Sequence, residues 1–307
     1  MVDFADRPVT VEVPASSANL GPGFDAFGLA LSRTDTVTAQ VCAQGLSIEA
    51  AGEGADAVPV DESHLIVRAM RAAFDRLGGQ PPGLRLSSTN RIPHGRGLGS
   101  SAAAIVAGIL LARALVTDAA QSLDDDGVLV LATEIEGHPD NVAACLLGGF
   151  TIAWTADGRG RAVRLAVSGV RPVLFIPTES SATEAARAAL PTQVPHADAA
   201  FNAARAALLV AALTGNPQLL LTATEDRLHQ DYRAAGMAPS ARLVAELRSA
   251  GLPSVISGAG SSVLTLARDA DEVAGALGRT PAGWAGEELS VADGARVGNA
   301  TRPTHVV

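Results

Sequence analysis

Two spacings of hydrophobic residues alternate along the chain. Period-two alternation marks "VTVEV" (Val9–Val13) and "TVTAQV" (Thr36–Val41) and predicts strands with one buried face. Between them, "PASSANLGPGFDAFGLAL" (Pro14–Leu31) reads as a polar loop running into an apolar segment. "HLIVRAMRAAFDRLGG" (His64–Gly79) spaces its apolar residues helically and stops at paired glycines, a helix with its C-terminal cap. "LRLSS" (Leu84–Ser88) predicts a short strand. "SSAAAIVAGILLARALV" (Ser100–Val116) is apolar nearly all round, which predicts a central, buried helix.

The pattern continues with a helix at "DDDGVLVLATEIEG" (Asp124–Gly137), its acidic residues at the positive end. "GFTIAW" predicts a strand and "TADGRGRA" a polar hairpin or linker. The second half alternates the strands "RPVLFIP", "PSVIS" and "SVLTLA" with the helices "SATEAARAAL", "ADAAFNAARAALLVAALTG" and "SARLVAELRSAG". A chain of 307 residues exceeds the usual single-domain size, so two domains are expected, dividing between residues 160 and 170.

Composition narrows the function. At 48% hydrophobic and 18% charged residues the chain can build a sizeable globular core. A net charge of −9 without a basic block argues against nucleic acid. All 23 basic residues are arginine, which removes lysine-dependent chemistry: a Walker-A lysine, a Schiff base, a pyridoxal-phosphate anchor. Cys42 and Cys145 lie too far apart in sequence for a CxxC or zinc pattern, and Cys145 reads as a core residue. There is no signal-peptide pattern, and no segment approaches ~18 uninterrupted apolar residues, so the expected location is cytoplasmic, with no membrane partner.

One stretch carries the chemistry. "PHGRGLGSSAAA" (Pro93–Ala104) alternates Gly95, Gly97 and Gly99, freeing backbone N–H groups to converge on one point. Ser100 and Ser101 then open the next helix, adding hydroxyls to its unpaired amides and positive dipole end. That is an anion site without lysine. It fits neither the Walker-A template nor the Rossmann spacing, whose third glycine is replaced by Ser100.

This stretch resembles the phosphate loop of the GHMP kinases, small-molecule kinases named for galacto-, homoserine, mevalonate and phosphomevalonate kinases. Three further segments resemble the homoserine-acting branch and occur in order: "PASSANLGPGFDAFGLAL", "EGHPDNVAACLLGGF" (Glu136–Phe150) and "SGAGSSVLTL" (Ser257–Leu266). "SATEAARAALP" and "LHQDYR" are similar to its second half. The resemblance implies an α+β two-domain GHMP kinase fold. Residues 1–165 would form a ribosomal-protein-like β-α domain and 166–307 a ferredoxin-like domain.

It further implies ATP and Mg²⁺ as cofactors, L-homoserine as the acceptor, and a step on the route to threonine. The ATP loop would comprise Pro93, His94, Gly95, Arg96, Gly97, Leu98, Gly99, Ser100, Ser101 and Ala102. Ser101 and Glu136 match metal positions, with Glu134 as the alternative. Asp25 would hold the substrate ammonium and Arg187 and Arg233 its carboxylate. Asn19, His138 and Asn141 would line the alcohol and reacting phosphate, and Asp140 and Asn141 compete for the position facing the substrate. Catalysis would rest on positioning and charge stabilisation rather than on a strong base.

Two departures stand out. "GAGSS" has Ser261 and Ser262 where the family pattern has Pro and Thr, and His64 stands where an Asn is common near the adenine. Rivals are a family member acting on another small alcohol and a catalytically silent ligand sensor. The charges at Asp25, Arg187 and Arg233 favour a zwitterion; Ser101, Glu136 and the loop glycines favour activity. The sequence leaves a homodimer open.

Overall fold

The computed structural model describes residues 2–119, 122–178 and 183–299. The first half builds a seven-stranded sheet from β1 (Val9–Ala18), β2 (Phe27–Val41), β3 (Gly45–Gly52), β4 (Gly83–Asn90), β5 (Phe150–Ala156), β6 (Arg159–Leu165) and the late strand β11 (Arg296–Asn299). The main path runs β11-β1-β2-β4-β3, and β5 pairs with β2 and β6. Only β3 against β4 is parallel; the other pairs are antiparallel. Four helices accompany it: α1 (Leu65–Arg76), α2 (Ser100–Leu115), α3 (Asp125–Glu136) and α4 (Asp140–Leu147).

The second sheet has four antiparallel strands in the order β10-β7-β9-β8, comprising β7 (Arg171–Ile176), β8 (Ser254–Ile256), β9 (Val263–Ala267) and β10 (Ala285–Glu288). Its helices are α5 (Thr183–Ala188), α6 (His196–Gly215), α7 (Leu220–Ala223), α8 (Gln230–Arg233), α9 (Ala238–Ser249) and α10 (Ala270–Leu277). Strand alternation in β7 divides two cores. Val173 and Phe175 pack with Leu243 and Leu247 of α9, while Leu174 and Ile176 join the large core that contains α2 and the first sheet. The architecture is α+β, as the resemblance implied. The connection from β6 to β7 occupies residues 166–170, and β11 returns to the first sheet from far beyond it.

Most predicted elements form, with instructive differences. The strand expected at Thr36–Val41 begins at Phe27, because the apolar segment after the loop continues the same strand. β3, α4, β10 and β11 carried no clear periodicity and escaped prediction, as did the short helices α7, α8 and α10. The polar "TADGRGRA" is the turn and outgoing arm of the β5–β6 hairpin. In the helix expected at "SATEAARAAL", Ser181 and Ala182 lie outside the described residues. Alanine-rich α6 is long and apolar enough by composition to cross a membrane. It nevertheless sends Leu209, Ala212 and Leu213 into the core, and its Arg205 pairs with Glu225. Cys145 is fully buried, which pushes its thiol pKa well up and keeps it inert.

Helix α2 is the axis of the first core, with eleven of its sixteen residues buried. Its Gly108 lets α1 approach closely: a Cβ there would stand 2.5 Å from the Ile66 carbonyl oxygen and 2.8 Å from the Ala69 Cβ. Alanine would favour the helix by ~1 kcal/mol, but overpacking of this kind costs about 1–3 kcal/mol. Gly108→Ala is therefore expected to destabilise the fold by about 1 kcal/mol net, read as a lower urea midpoint at an unchanged slope.

Candidate active site

The phosphate-type loop adopts the conformation its glycines allow. Gly95, Gly97 and Gly99 all have left-handed φ values, 65°, 70° and 67°. At Gly97 a Cβ would collide with the backbone of Ser257 and Gly260, so only glycine lets the loop lie against the second glycine loop. At Gly99, the N-cap of α2, a Cβ would meet the Ser16 hydroxyl and stand 3.0 Å from the Asn141 Oδ1. Ser257 Oγ donates to the Gly97 carbonyl (2.7 Å), Ser262 N to Arg96 O (3.2 Å) and Ser16 N to Leu98 O (3.0 Å). Pro93, Leu98 and Ala102 are buried and anchor the loop. The Arg96 guanidinium is committed to the carbonyls of His94, Pro177 and Thr178, so it braces the loop against the second sheet rather than facing an anion.

Beside the first turn of α2 lies a cavity of about 270 Å³, walled by Val37, Leu65 and Ala103 with Asn90, His64 and His94 among its polar groups. His64 caps α1: its Nδ1 accepts from Ile66 N at 3.2 Å, so its other ring nitrogen carries the proton. Burial, then the neighbouring His94, lower the His64 pKa and keep the ring neutral. Nothing in the sequence marked His64 as a cap, since histidine is not a usual N-cap residue.

At the loop's end, Ser101 Oγ donates to Glu136 Oε2 at 2.7 Å. Burial raises the Glu136 pKa, and the Ser101 bond opposes it. Glu134, the alternative ligand, is on the surface and pairs with Arg76 (2.6 Å), away from Ser101. His138 and Asp140 face each other, Nδ1 to Oδ1 at 3.4 Å, and the Asp140 carboxylate raises the His138 pKa. Asp140 is buried and also accepts from Asn141 N (2.8 Å). Asn141 instead turns to the phosphate loop, accepting from Ser16 Oγ (2.9 Å).

The third wall is the loop between β1 and β2. Asn19, Leu20 and Asp25 all have positive φ, three of the five non-glycine residues so placed among the described ones. The Asn19 side chain is buried and holds this loop. Its Nδ2 donates to Gly258 O (2.8 Å) and its Oδ1 accepts from Asp25 N (2.9 Å). Asp25 and Arg187 form a two-pronged ion pair, with N···O distances of 3.0 and 3.2 Å. Arg233 is 3% exposed; its Nε donates to Ala186 O (3.0 Å) and it lies over the Phe24 ring (5.2 Å). Burial lowers the Arg233 pKa and the Asp25 charge opposes the shift. Among the described residues Arg233 has no carboxylate within ion-pair distance. His229, buried against Arg233, was missed by sequence reasoning; its i, i+4 spacing to Arg233 was the available signal.

The expected residues thus converge from three loops. Loop 95–101 supplies the amides and Ser101. The start of α4, with the residues just before it, supplies Glu136, His138 and Asn141. Loop 19–25 meets α5 and α8 to supply the charges. Comparison with known proteins identifies the family. Residues 64–149 match the N-terminal domain of the GHMP kinases and residues 199–282 their C-terminal domain. The chain is 57% identical over 291 residues to the homoserine kinase of Streptomyces avermitilis, covering 94% of both proteins. It is likewise 57% identical over 289 residues to that of Streptomyces coelicolor, covering 94% of this chain and 93% of the relative. The crystal structure of homoserine kinase from Cytophaga hutchinsonii superposes with a TM-score of 0.85 at 26% identity, over 95% of this chain and 98% of the other. By sequence and fold, the chain belongs to the homoserine kinase family of the GHMP kinases.

Proposed function

We infer that this chain transfers the γ-phosphoryl group of ATP to the side-chain hydroxyl of L-homoserine. The observation that carries the substrate half is Arg233, buried and, among the described residues, without a carboxylate within ion-pair distance. Burying a cation costs on the order of several kcal/mol; Asp25 and Asp226 offset part of that from a distance, and a substrate carboxylate in direct contact would relieve more. The Asp25–Arg187 pair is about 40% exposed, at 38% and 42% for the two side chains, and such pairs are worth about 1 kcal/mol or less. It is therefore cheap to exchange. A zwitterion can replace both halves at once, its ammonium at Asp25 and its carboxylate at Arg187 and Arg233. Asn19 then acts by holding Asp25 and Gly258 in place.

In this reading the phosphates lie on the amides of Gly95–Ser101 and the base in the cavity beside His64 and Asn90. Ser101 and Glu136 are hard oxygen donors already in contact, a set that suits Mg²⁺, which takes few protein ligands and completes its shell with phosphate and water. Bound there, the cation would neutralise charge on the β and γ oxygens. Among the described residues no cluster of three or more His, Cys, Asp or Glu side chains could share that task.

The step itself needs positioning more than a base. The substrate oxygen bonds to the γ phosphorus as the bridging bond to ADP breaks, and the hydroxyl proton leaves to a phosphate oxygen or water. Asn141, bonded to Ser16 beside the loop, is the group facing the reacting phosphate. Asp140 is buried behind it and orients His138. The unit of the first sheet, which β11 rejoins from beyond the second, and the unit of the second sheet would meet over this cleft.

ADP release with Mg-ATP is expected with L-homoserine well above mevalonate, galactose or shikimate. Turnover on one of those alcohols with none on homoserine would overturn the substrate assignment. Glu136→Gln is expected to lower kcat about 100-fold, the usual scale for losing one transition-state electrostatic contact, with the homoserine KM little changed. Steady-state kinetics over a magnesium series checks it; an unchanged kcat removes Glu136 from the metal site.

A further inference from the structure

The charges read as the zwitterion site sit on three separate pieces of chain: Asp25 on loop 19–25, Arg187 on α5 and Arg233 on α8. One buried side chain ties them together. His229, fully buried just before α8, places Nε2 2.8 Å from the Gly21 carbonyl oxygen. A carbonyl only accepts, so Nε2 carries the hydrogen and Nδ1 is left as an acceptor. That Nδ1 lies 3.3 Å from Arg233 Nη1 and accepts a hydrogen bond from it. The ring also stacks on Phe24, the neighbour of Asp25, at 5.1 Å between centroids and 26° between planes. Through its Nε the same guanidinium holds Ala186 O, next to Arg187.

We propose that His229 is a positioning residue for the substrate: as one fixed tautomer it locks the Arg233 guanidinium to the loop that carries Asp25, setting the spacing between carboxylate and ammonium sites. The proposal rests on the reading of Arg233 as a carboxylate ligand. His229 touches no reacting atom; it acts through Arg233.

The arrangement has a built-in polarity. Protonating His229 turns Nδ1 from acceptor to donor and aims it at a cation, which ends the bond. Burial, the largest influence, lowers the His229 pKa, and the Arg233 charge adds to that. Asp226 opposes it, with an oxygen 3.5 Å from Nε2, and so does Asp25 from the facing loop. Asp226 is partly occupied in accepting from the backbone N–H groups of Leu228, His229 and Gln230. The ring therefore stays neutral at neutral pH and the lock opens only on acidification.

The test compares L-homoserine with 3-aminopropan-1-ol, which keeps the ammonium and hydroxyl but lacks the carboxylate. His229→Phe keeps ring volume and stacking but can neither donate nor accept. It is expected to raise the homoserine KM at least 10-fold, with kcat and the ATP KM within about 3-fold and kcat/KM for 3-aminopropan-1-ol unchanged. His229→Gln, which restores polar contact, should recover part of the loss. For the wild type, burial holds the His229 pKa below its usual value, so the homoserine KM should stay flat as pH falls from 7.5 toward neutrality and rise only on further acidification.

If the wild type used both alcohols equally, the carboxylate reading of Arg233 would fail. If the wild type prefers homoserine, the His229 proposal is overturned by an unmoved homoserine KM in folded His229→Phe or by equal losses on both substrates. Should His229→Phe not fold, His229→Leu, which likewise can neither donate nor accept, takes its place, and an unmoved homoserine KM in that folded variant would overturn the proposal.

Discussion

Everything at the cleft depends on two glycine loops lying backbone to backbone. Gly97 meets Ser257 and Gly260 with no room for a Cβ, and the Ser257 hydroxyl bonds the Gly97 carbonyl. This contact joins the strand-to-helix turn of the first sheet to the strand-to-strand turn of the second. A third loop enters the same junction, where Gly258 N reaches Ala18 O and Asn19 reaches Gly258 O. Moving any one loop would misplace the other two, so the phosphate amides and the substrate charges are registered through the backbone. Such registration tolerates side-chain change at Ser261 and Ser262, the positions that depart from the family pattern.

The lysine-free composition is consistent with this plan. On the proposed reading, anion affinity would come from amides freed by left-handed glycines and from the first turn of α2, a source fixed in direction and independent of pH. Arginine takes the structural and ligand roles in turn. Arg96 bridges carbonyls of both halves, Arg187 pairs on the surface, and Arg233 lies buried with, among the described residues, no carboxylate within ion-pair distance. The same residue type is a loop brace at Arg96 and, on the proposed reading, an exchangeable partner at Arg187 and a substrate ligand at Arg233.

Long amphipathic or fully apolar segments were legible: α1, α2, α3, α6 and α9 all formed where periodicity put them. The elements missed were β3, α4, α7, α8, α10, β10 and β11. Each is short or lacks a repeating pattern, and each forms because a neighbour offers an edge or a face. At the site, the glycines of loop 95–99 and the charges at 25, 187 and 233 could be named from the chain. Their relations could not. That Asp25 grips Arg187, that Asn19 turns inward to hold the loop, and that Glu134 pairs away with Arg76 are consequences of packing between distant segments.

The sequence by itself determined the family and, through that resemblance, the α+β class, because glycine spacing and motif order are local properties of a chain. Only the tertiary structure decided which polar groups are free. His229 illustrates the division: in the chain it is one more residue of "LHQDYR", without a tautomer or a neighbour. Once buried between Gly21 and Arg233 it has a single proton position, because a carbonyl accepts and a guanidinium donates. Hydrogen-bond direction is set by partners that lie some two hundred residues apart in sequence, and only folding brings them together.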